Sequence, residues 1–151
     1  MRCVIQRVRK ASVFVNDVSI SSIGNGLLVL VGFTDKDNET DWIWMTKKIL
    51  GMRLFNDGNG IMNLSIENVE GELLIVSQFT LQSNTSKGNR PSYMNASKPD
   101  LAIIQYNNFL AHIEKSTKLK IRTGEFGADM QVNLINDGPV TIIIDSHKKD
   151  L

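Results

Sequence analysis

Cysteine is nearly missing: the 151-residue chain holds one, Cys3. No intramolecular disulfide can form, and such a chain reads as intracellular. Histidine is scarce as well, with His112 and His147 alone. His112 falls on a predicted helix between Ala111 and Ile113, and His147 in a charged tail, so neither is placed as the base of a nucleophile–base pair. One cysteine and two distant histidines give no zinc-ligand spacing, so no metal is expected. No G-x-x-x-x-G-K-[ST] loop and no G-x-G-x-x-G occurs, so no cofactor is expected; Gly24-Asn25-Gly26 is a strand-entry turn. Long apolar runs are missing too. The longest, Leu27 to Val31, is far too short to span a bilayer, and charges break the first ten residues where a leader would need an unbroken apolar run. A cytoplasmic protein with no membrane partner is the expectation. Neither sign of charge dominates: 17 Lys and Arg against 16 Asp and Glu leave +1. Nucleic acid cannot be held by overall charge, although local basic patches remain available.

What is present fits one globular domain over residues 1–151. The apolar fraction of 42% and charged fraction of 22% suffice for a full core. Along Cys3 to Val8, Cys3, Ile5 and Arg7 alternate with Val4, Gln6 and Val8, the period of a strand. Ala11 to Val15 and Val18 to Ile23 read as further short strands turned by Asn16-Asp17. Gly26 to Phe33 is apolar on both faces, as a buried central strand is. A helix is predicted from near Asn38 to Gly51, with Trp42, Met45, Ile49 and Leu50 on one face. A hairpin follows around Asn56 to Gly60. Leu73 to Leu81 begins as a buried strand and ends in polar residues. Gln82 to Ser97 reads as a long loop, and Pro99 opens a second helix with Ile103, Tyr106, Leu110 and Ile113 repeating. Leu119 to Thr123, Met130 to Ile135 and Val140 to Asp145 read as strands, the last two joined by a turn at Asn136 to Pro139. Ser146 to Leu151 is a charged tail. The predicted fold class is α+β: a single domain with a mostly antiparallel or mixed, barrel-like sheet and two main helices.

Two features remain unexplained by that frame. Polar Ser77, Gln78 and Thr80 close a central strand, and the X-Gly-Pro of Gly138-Pro139 sits near the other end of the chain. Together with Ile5-Gln6-Arg7-Val8, Gly26 to Gly32, Met62-Asn63-Leu64, Arg90-Pro91-Ser92-Tyr93 and Phe126-Gly127-Ala128-Asp129-Met130, they carry a resemblance. Ser77-Gln78-Phe79-Thr80-Leu81 and Asn136-Asp137-Gly138-Pro139-Val140-Thr141 match two signatures of the D-aminoacyl-tRNA deacylase family. The chain resembles that family over almost its whole length. It departs at Asn84 to Asn89, and at Asp145 to Leu151, which run past the family's usual last strand.

The resemblance implies a homodimer that hydrolyses the ester between a D-amino acid and the terminal ribose of tRNA, and removes glycine mischarged on tRNA-Ala. It implies that Gly138-Pro139 forms a cis pair that enters the partner's active site and refuses L-amino acids. Such a bond is cheap before proline and costs about 3 kcal/mol elsewhere. A stiff carbonyl that excludes a Cβ on one side would admit any D side chain, and glycine too. Ser77, Gln78, Phe79 and Thr80 become the catalytic candidates. Backbone N–H groups near Gln78, Phe79 and Thr80 would stabilise developing charge while the ribose 2′-OH assists; the Thr80 hydroxyl is the side-chain nucleophile in reserve. Phe79 reads equally as core or as a stacking surface, and Phe126 and Met130 as core or pocket lining. Three basic clusters are candidates for tRNA: Arg2, Arg7, Arg9 and Lys10; Lys87, Arg90 and Lys98; and Lys115, Lys118, Lys120 and Arg122. Arg7, Lys87 and Arg90 lead among them.

Overall fold

A computed structural model describes residues 1–150. Eight strands and two helices follow in order: β1 (Arg2–Val15), β2 (Val18–Ile23), β3 (Gly26–Gly32), α1 (Glu39–Gly51), β4 (Phe55–Asn56), β5 (Met62–Leu64), β6 (Glu72–Ser77), α2 (Pro99–Ser116), β7 (Ile121–Thr123) and β8 (Met130–Asp145). A 3₁₀ turn, Phe79–Gln82, follows β6. Six strands form one mixed sheet in the order β2-β1-β3-β6-β7, with β8 on the other edge of β1. β4 and β5 make a separate two-stranded hairpin. The predicted α+β class holds, and the long sheet curls into a nearly closed, barrel-like layer.

The curl comes from β1. Its residues Arg2–Val8 pair with β3, Ala11–Val15 pair with β2, and β8 lines its opposite edge throughout. The two predicted short strands are therefore one. Cys3 and Ile5 face one hydrophobic cluster, whereas Val8, Ala11 and Val13 face the other. The switch falls where the ladder to β8 is irregular, between Gln6 and Lys10. Alternation across Val8 misses it, because one irregular residue exchanges the two faces. At Asn16-Asp17 both residues take positive φ, as a tight two-residue hairpin requires.

β3 and β6 pair in parallel and are buried on both faces, which explains their unbroken apolar runs. Leu27, Val29, Val31, Leu73 and Ile75 meet the helices; Leu28, Leu74 and Val76 fill the inside of the curl. Helix α1 starts where predicted. Asn38 Oδ1 accepts from the Thr40 N–H and Asp41 Oδ2 from the Asn38 N–H, both at 3.0 Å. Helix α2 starts at Pro99, but its buried face is rotated from the predicted stripe. Ala102, Gln105, Tyr106, Phe109 and Ile113 are buried, while Ile103 is exposed. The difference is Gln105, a polar residue on the core side. It accepts from Ser97 Oγ at 2.8 Å and donates to the Thr34 carbonyl at 2.9 Å.

Two further corrections concern the end of the chain. Asn136 to Pro139 is not a hairpin turn: Met130 to Ile135 and Val140 to Asp145 are parts of one strand, both paired to β1. The tail is also partly docked. Ser146 is buried, its N–H donating to the Met1 carbonyl at 2.9 Å and its Oγ accepting from the Met1 amino group at 2.8 Å.

Candidate active site

A cavity of about 810 Å³ opens at the C-terminal ends of β3 and β6. The parallel pairing brings these ends together, and each strand there stops being apolar. Ser77, Gln78 and Phe79 form one wall, Phe126 and Met130 a second, and Tyr93 and Met94 a third. Five candidates read from the sequence therefore share one space, although Phe126 and Met130 arrive from the loop before β8 and from its first residue, some fifty residues downstream. Each of those two also touches the core: Phe126 packs at 5.8 Å between ring centroids from Tyr106, and Met130 on the inner cluster.

The 3₁₀ turn is held tightly against β3. The Gln78 N–H donates to the Val31 carbonyl at 2.7 Å, and Gln82 Nε2 donates to the Gly32 carbonyl at 2.9 Å. A Cβ at Gly32 would lie 2.6 Å from the Gln78 carbonyl oxygen, so only glycine permits this approach. Because Gln78 uses its N–H, it does not offer a free donor. Phe79 and Thr80 do, since no acceptor takes their N–H groups among the described residues. Gln78 Nε2 donates to Thr80 Oγ1 at 2.6 Å, which orients the threonine hydroxyl. Thr80 itself lies behind the cavity wall, and neither a histidine nor a carboxylate bonds to it. Phe79 is not a core residue: it is 57% exposed and meets Tyr93 edge-on at 5.1 Å between centroids. Met94, 93% exposed, extends this apolar rim.

Gly138 and Pro139 do not line that cavity and are exposed on β8. The peptide bond between them is cis, and Gly138 has φ +154°. Arg7, offered to tRNA on sequence grounds, is only 7% exposed and works inside the protein. Its Nε donates to the Asp137 carbonyl at 2.9 Å and its Nη1 to the Leu54 carbonyl. Arg9 pairs with the Asp137 carboxylate and Arg2 with Asp145. Lys120 of the third cluster pairs with Glu72. By contrast, Lys87 and Arg90 are exposed, and neither they nor Lys98 joins an ion pair among the described residues. Lys98 reaches the cavity wall.

His147 is not a loose tail residue: its Nε2 lies 2.7 Å from Asp37 Oδ1. Asp37, Asp41 and His147 come within 4.8 Å of one another, a spacing that could hold a cation. Asp37 is already engaged by the Met1 amino group, which makes the cluster a hydrogen-bonded knot that fastens the last turn to the start of α1. Burial pushes the Cys3 thiol well above its ordinary range, so it takes no part in nucleophilic chemistry. The residue that sequence reasoning passed over is Asn136, whose amide bonds to both backbone groups of Val140.

A family model described as D-Tyr-tRNA(Tyr) deacylase matches residues 4–145. A protein of Flavobacterium psychrophilum named D-aminoacyl-tRNA deacylase is 53% identical over 150 residues, covering 99% of this chain and 100% of the relative. One of the same name from Cytophaga hutchinsonii is 56% identical over 149 residues, with 99% of each chain covered. A solved structure titled c-Myc DNA Unwinding Element Binding Protein superposes with a TM-score of 0.92 at 42% identity, covering 96% of this chain and 98% of the other.

Proposed function

The chain belongs to the D-Tyr-tRNA(Tyr) deacylase family, and on that premise we propose how its residues perform the hydrolysis. It is a D-aminoacyl-tRNA deacylase, a hydrolase of the ester that joins an amino acid to tRNA. The observation that carries the mechanism is the start of the 3₁₀ turn. Two N–H groups are unpartnered, that of Phe79 at the cavity wall and that of Thr80 next to it in the chain, and the apolar cavity has no nucleophile–base pair. An aminoacyl ester is already activated. What it needs is to be held with its carbonyl oxygen against donors that are fixed before reaction, because the charge develops on that oxygen. These two N–H groups serve as that oxyanion hole. The vicinal 2′-OH of the terminal ribose assists the attack, and Thr80 acts by bracing Gln78. The terminal base stacks among Phe79, Phe126 and Met130, which supply an apolar wall. The exposed Lys87 and Arg90, with Lys98 at the wall, meet the phosphates behind it.

Chirality is refused by a second copy of the chain. Gly138 and Pro139 are exposed and do not line their own cavity, which is the arrangement expected of a loop that works in a partner's. Main-chain atoms present a rigid wall on the side where an L residue carries Cβ. Refusal therefore needs no contact with the D side chain, and glycyl-tRNA passes as a substrate. The active enzyme is accordingly a homodimer. The deciding experiment compares D- and L-tyrosyl-tRNA with D-tyrosyl-tRNA ending in 2′-deoxyadenosine. Hydrolysis of the D-ester alone, lost in the deoxy substrate and only mildly reduced by Thr80→Ala, supports the mechanism. Full activity on the deoxy substrate, abolished by Thr80→Ala, would assign the attack to threonine.

One observation favours a second reading, in which the chain binds nucleic acid without hydrolysis: the solved relative at 42% identity is named for binding a DNA element. Retention of D-tyrosyl-tRNA with its ester intact would establish it.

A further inference from the structure

Where β8 passes Arg7 the ladder opens. Gln6 pairs with Thr141 and Val8 with Asn136, so Arg7 alone faces the four residues 137–140. The surplus residues must bow out of the sheet, and Gly138 and Pro139 stand exposed on the bow. A bow without ladder bonds would be mobile unless something else closed it. One side chain closes it here. The Val140 N–H donates to Asn136 Oδ1 at 3.0 Å, and Asn136 Nδ2 donates to the Val140 carbonyl at 3.0 Å. The carboxamide thus pairs with Val140 as a neighbouring strand would. Its orientation is fixed, because a backbone N–H only donates and a carbonyl only accepts. On the other shoulder Arg7 Nε holds the Asp137 carbonyl.

We propose that Asn136 is a positioning residue that sets how stringently L-aminoacyl esters are refused, by fixing where the Gly138–Pro139 bow stands. This rests on the reading of that bow as the chirality filter. The demand on the side chain is narrow. Aspartate keeps the acceptor but turns a second carboxylate oxygen toward the Val140 carbonyl. Alanine removes both bonds. Asn136 touches neither the cavity nor the 3₁₀ turn, so its effect should fall on stereochemistry before rate.

The test measures hydrolysis of D- and L-tyrosyl-tRNA by the full-length wild type and by Asn136→Ala, Asn136→Asp and Pro139→Ala. The expected result is at least a tenfold rise in L-tyrosyl-tRNA hydrolysis by both Asn136 variants, with D-ester hydrolysis reduced less than tenfold. A gain on the L-ester cannot come from a merely loosened fold, which would lower D-ester hydrolysis and leave the L-ester untouched. If Pro139→Ala gains L-ester hydrolysis and the Asn136 variants do not, the role of Asn136 is overturned while the filter stands. If none of the three gains it, the filter reading fails and takes this inference with it.

Discussion

At Gly138 the backbone φ of +154° and the space around it forbid a side chain for separate reasons. A Cβ would sit 2.5 Å from the Val140 nitrogen and 2.7 Å from its Cγ2. Gly138→Ala should strain the bow locally by about 1–3 kcal/mol and leave the remainder of the fold in place. A modest fall in melting temperature with loss of D-ester hydrolysis or of the D-over-L ratio is the expected outcome; an unchanged ratio would remove Gly138 from the filter. Asp41 gives a pH-dependent case. Burial raises its pKa, but hydrogen bonds from the Ser146 hydroxyl and the Asn38 N–H, together with the nearby Met1 amino group and His147, outweigh that and hold it below its ordinary value. A carboxylate lowered in the folded state contributes stability above its unfolded pKa, and loses it as pH falls through the lower folded value. Asp41→Asn should therefore cost about 1 kcal/mol at neutral pH, through the capping box, and the difference should shrink as pH drops below 3.8 in urea titrations of both proteins. The two signatures were readable as residues, since Ser77 to Leu81 and Gly138-Pro139 stand out in the chain. What Arg7 does was not: a basic residue in a cluster of basic residues gives no sign that backbone carbonyls 47 and 130 residues away surround it.

Among the elements, the junction of β3 with the 3₁₀ turn is the tightest that the site depends on. Gly32→Ala would drive a methyl into the Gln78 carbonyl and shift the Phe79 and Thr80 N–H groups. Overpacking of this kind typically costs about 1–3 kcal/mol, and loss of an oxyanion donor about 10²–10³ in rate. Stopped D-tyrosyl-tRNA hydrolysis in a variant that still unfolds cooperatively is the expected result. Tyr106 ties α2 to the sheet by donating to the Ile75 carbonyl at 2.8 Å. Tyr106→Phe should cost about 1 kcal/mol in denaturant unfolding, moderated because the Gly124 N–H also reaches that carbonyl. Elements with one strong period were legible: β3, the start of α1 at Asn38 and the start of α2 at Pro99 fall where the residues put them. Those that depend on pairing were not. β8 looked like two strands because Gly-Pro normally ends one, and only its common partner β1 makes it continuous. The rotated face of α2 was hidden for the same reason, since Gln105 is buried by what it bonds to.

On the scale of the whole molecule, a net charge of +1 leaves tRNA binding to local patches. The free cations Lys87 and Arg90 should carry a measurable share of it. The double variant Lys87→Ala, Arg90→Ala should weaken tRNA binding and flatten its salt dependence, by about 0.7 in the log–log slope per contact with single-stranded RNA. Filter-binding titrations across salt concentrations would show this, and an unaltered slope would move the contact elsewhere. The mixed, curled sheet was foreseen in class, although nothing in the residues gives its strand order, because parallel β3 and β6 meet across 39 residues of intervening chain, 33–71. One consequence reaches back to synthesis. β1 is made first, yet its longest edge pairs with β8, the strand made last. Until β8 has left the ribosome, fourteen residues of β1 show a bare edge, and contacts this distant in sequence form slowly. The nascent chain therefore cannot close its sheet on the way out, and that edge stays open to pairing with other strands until β8 arrives.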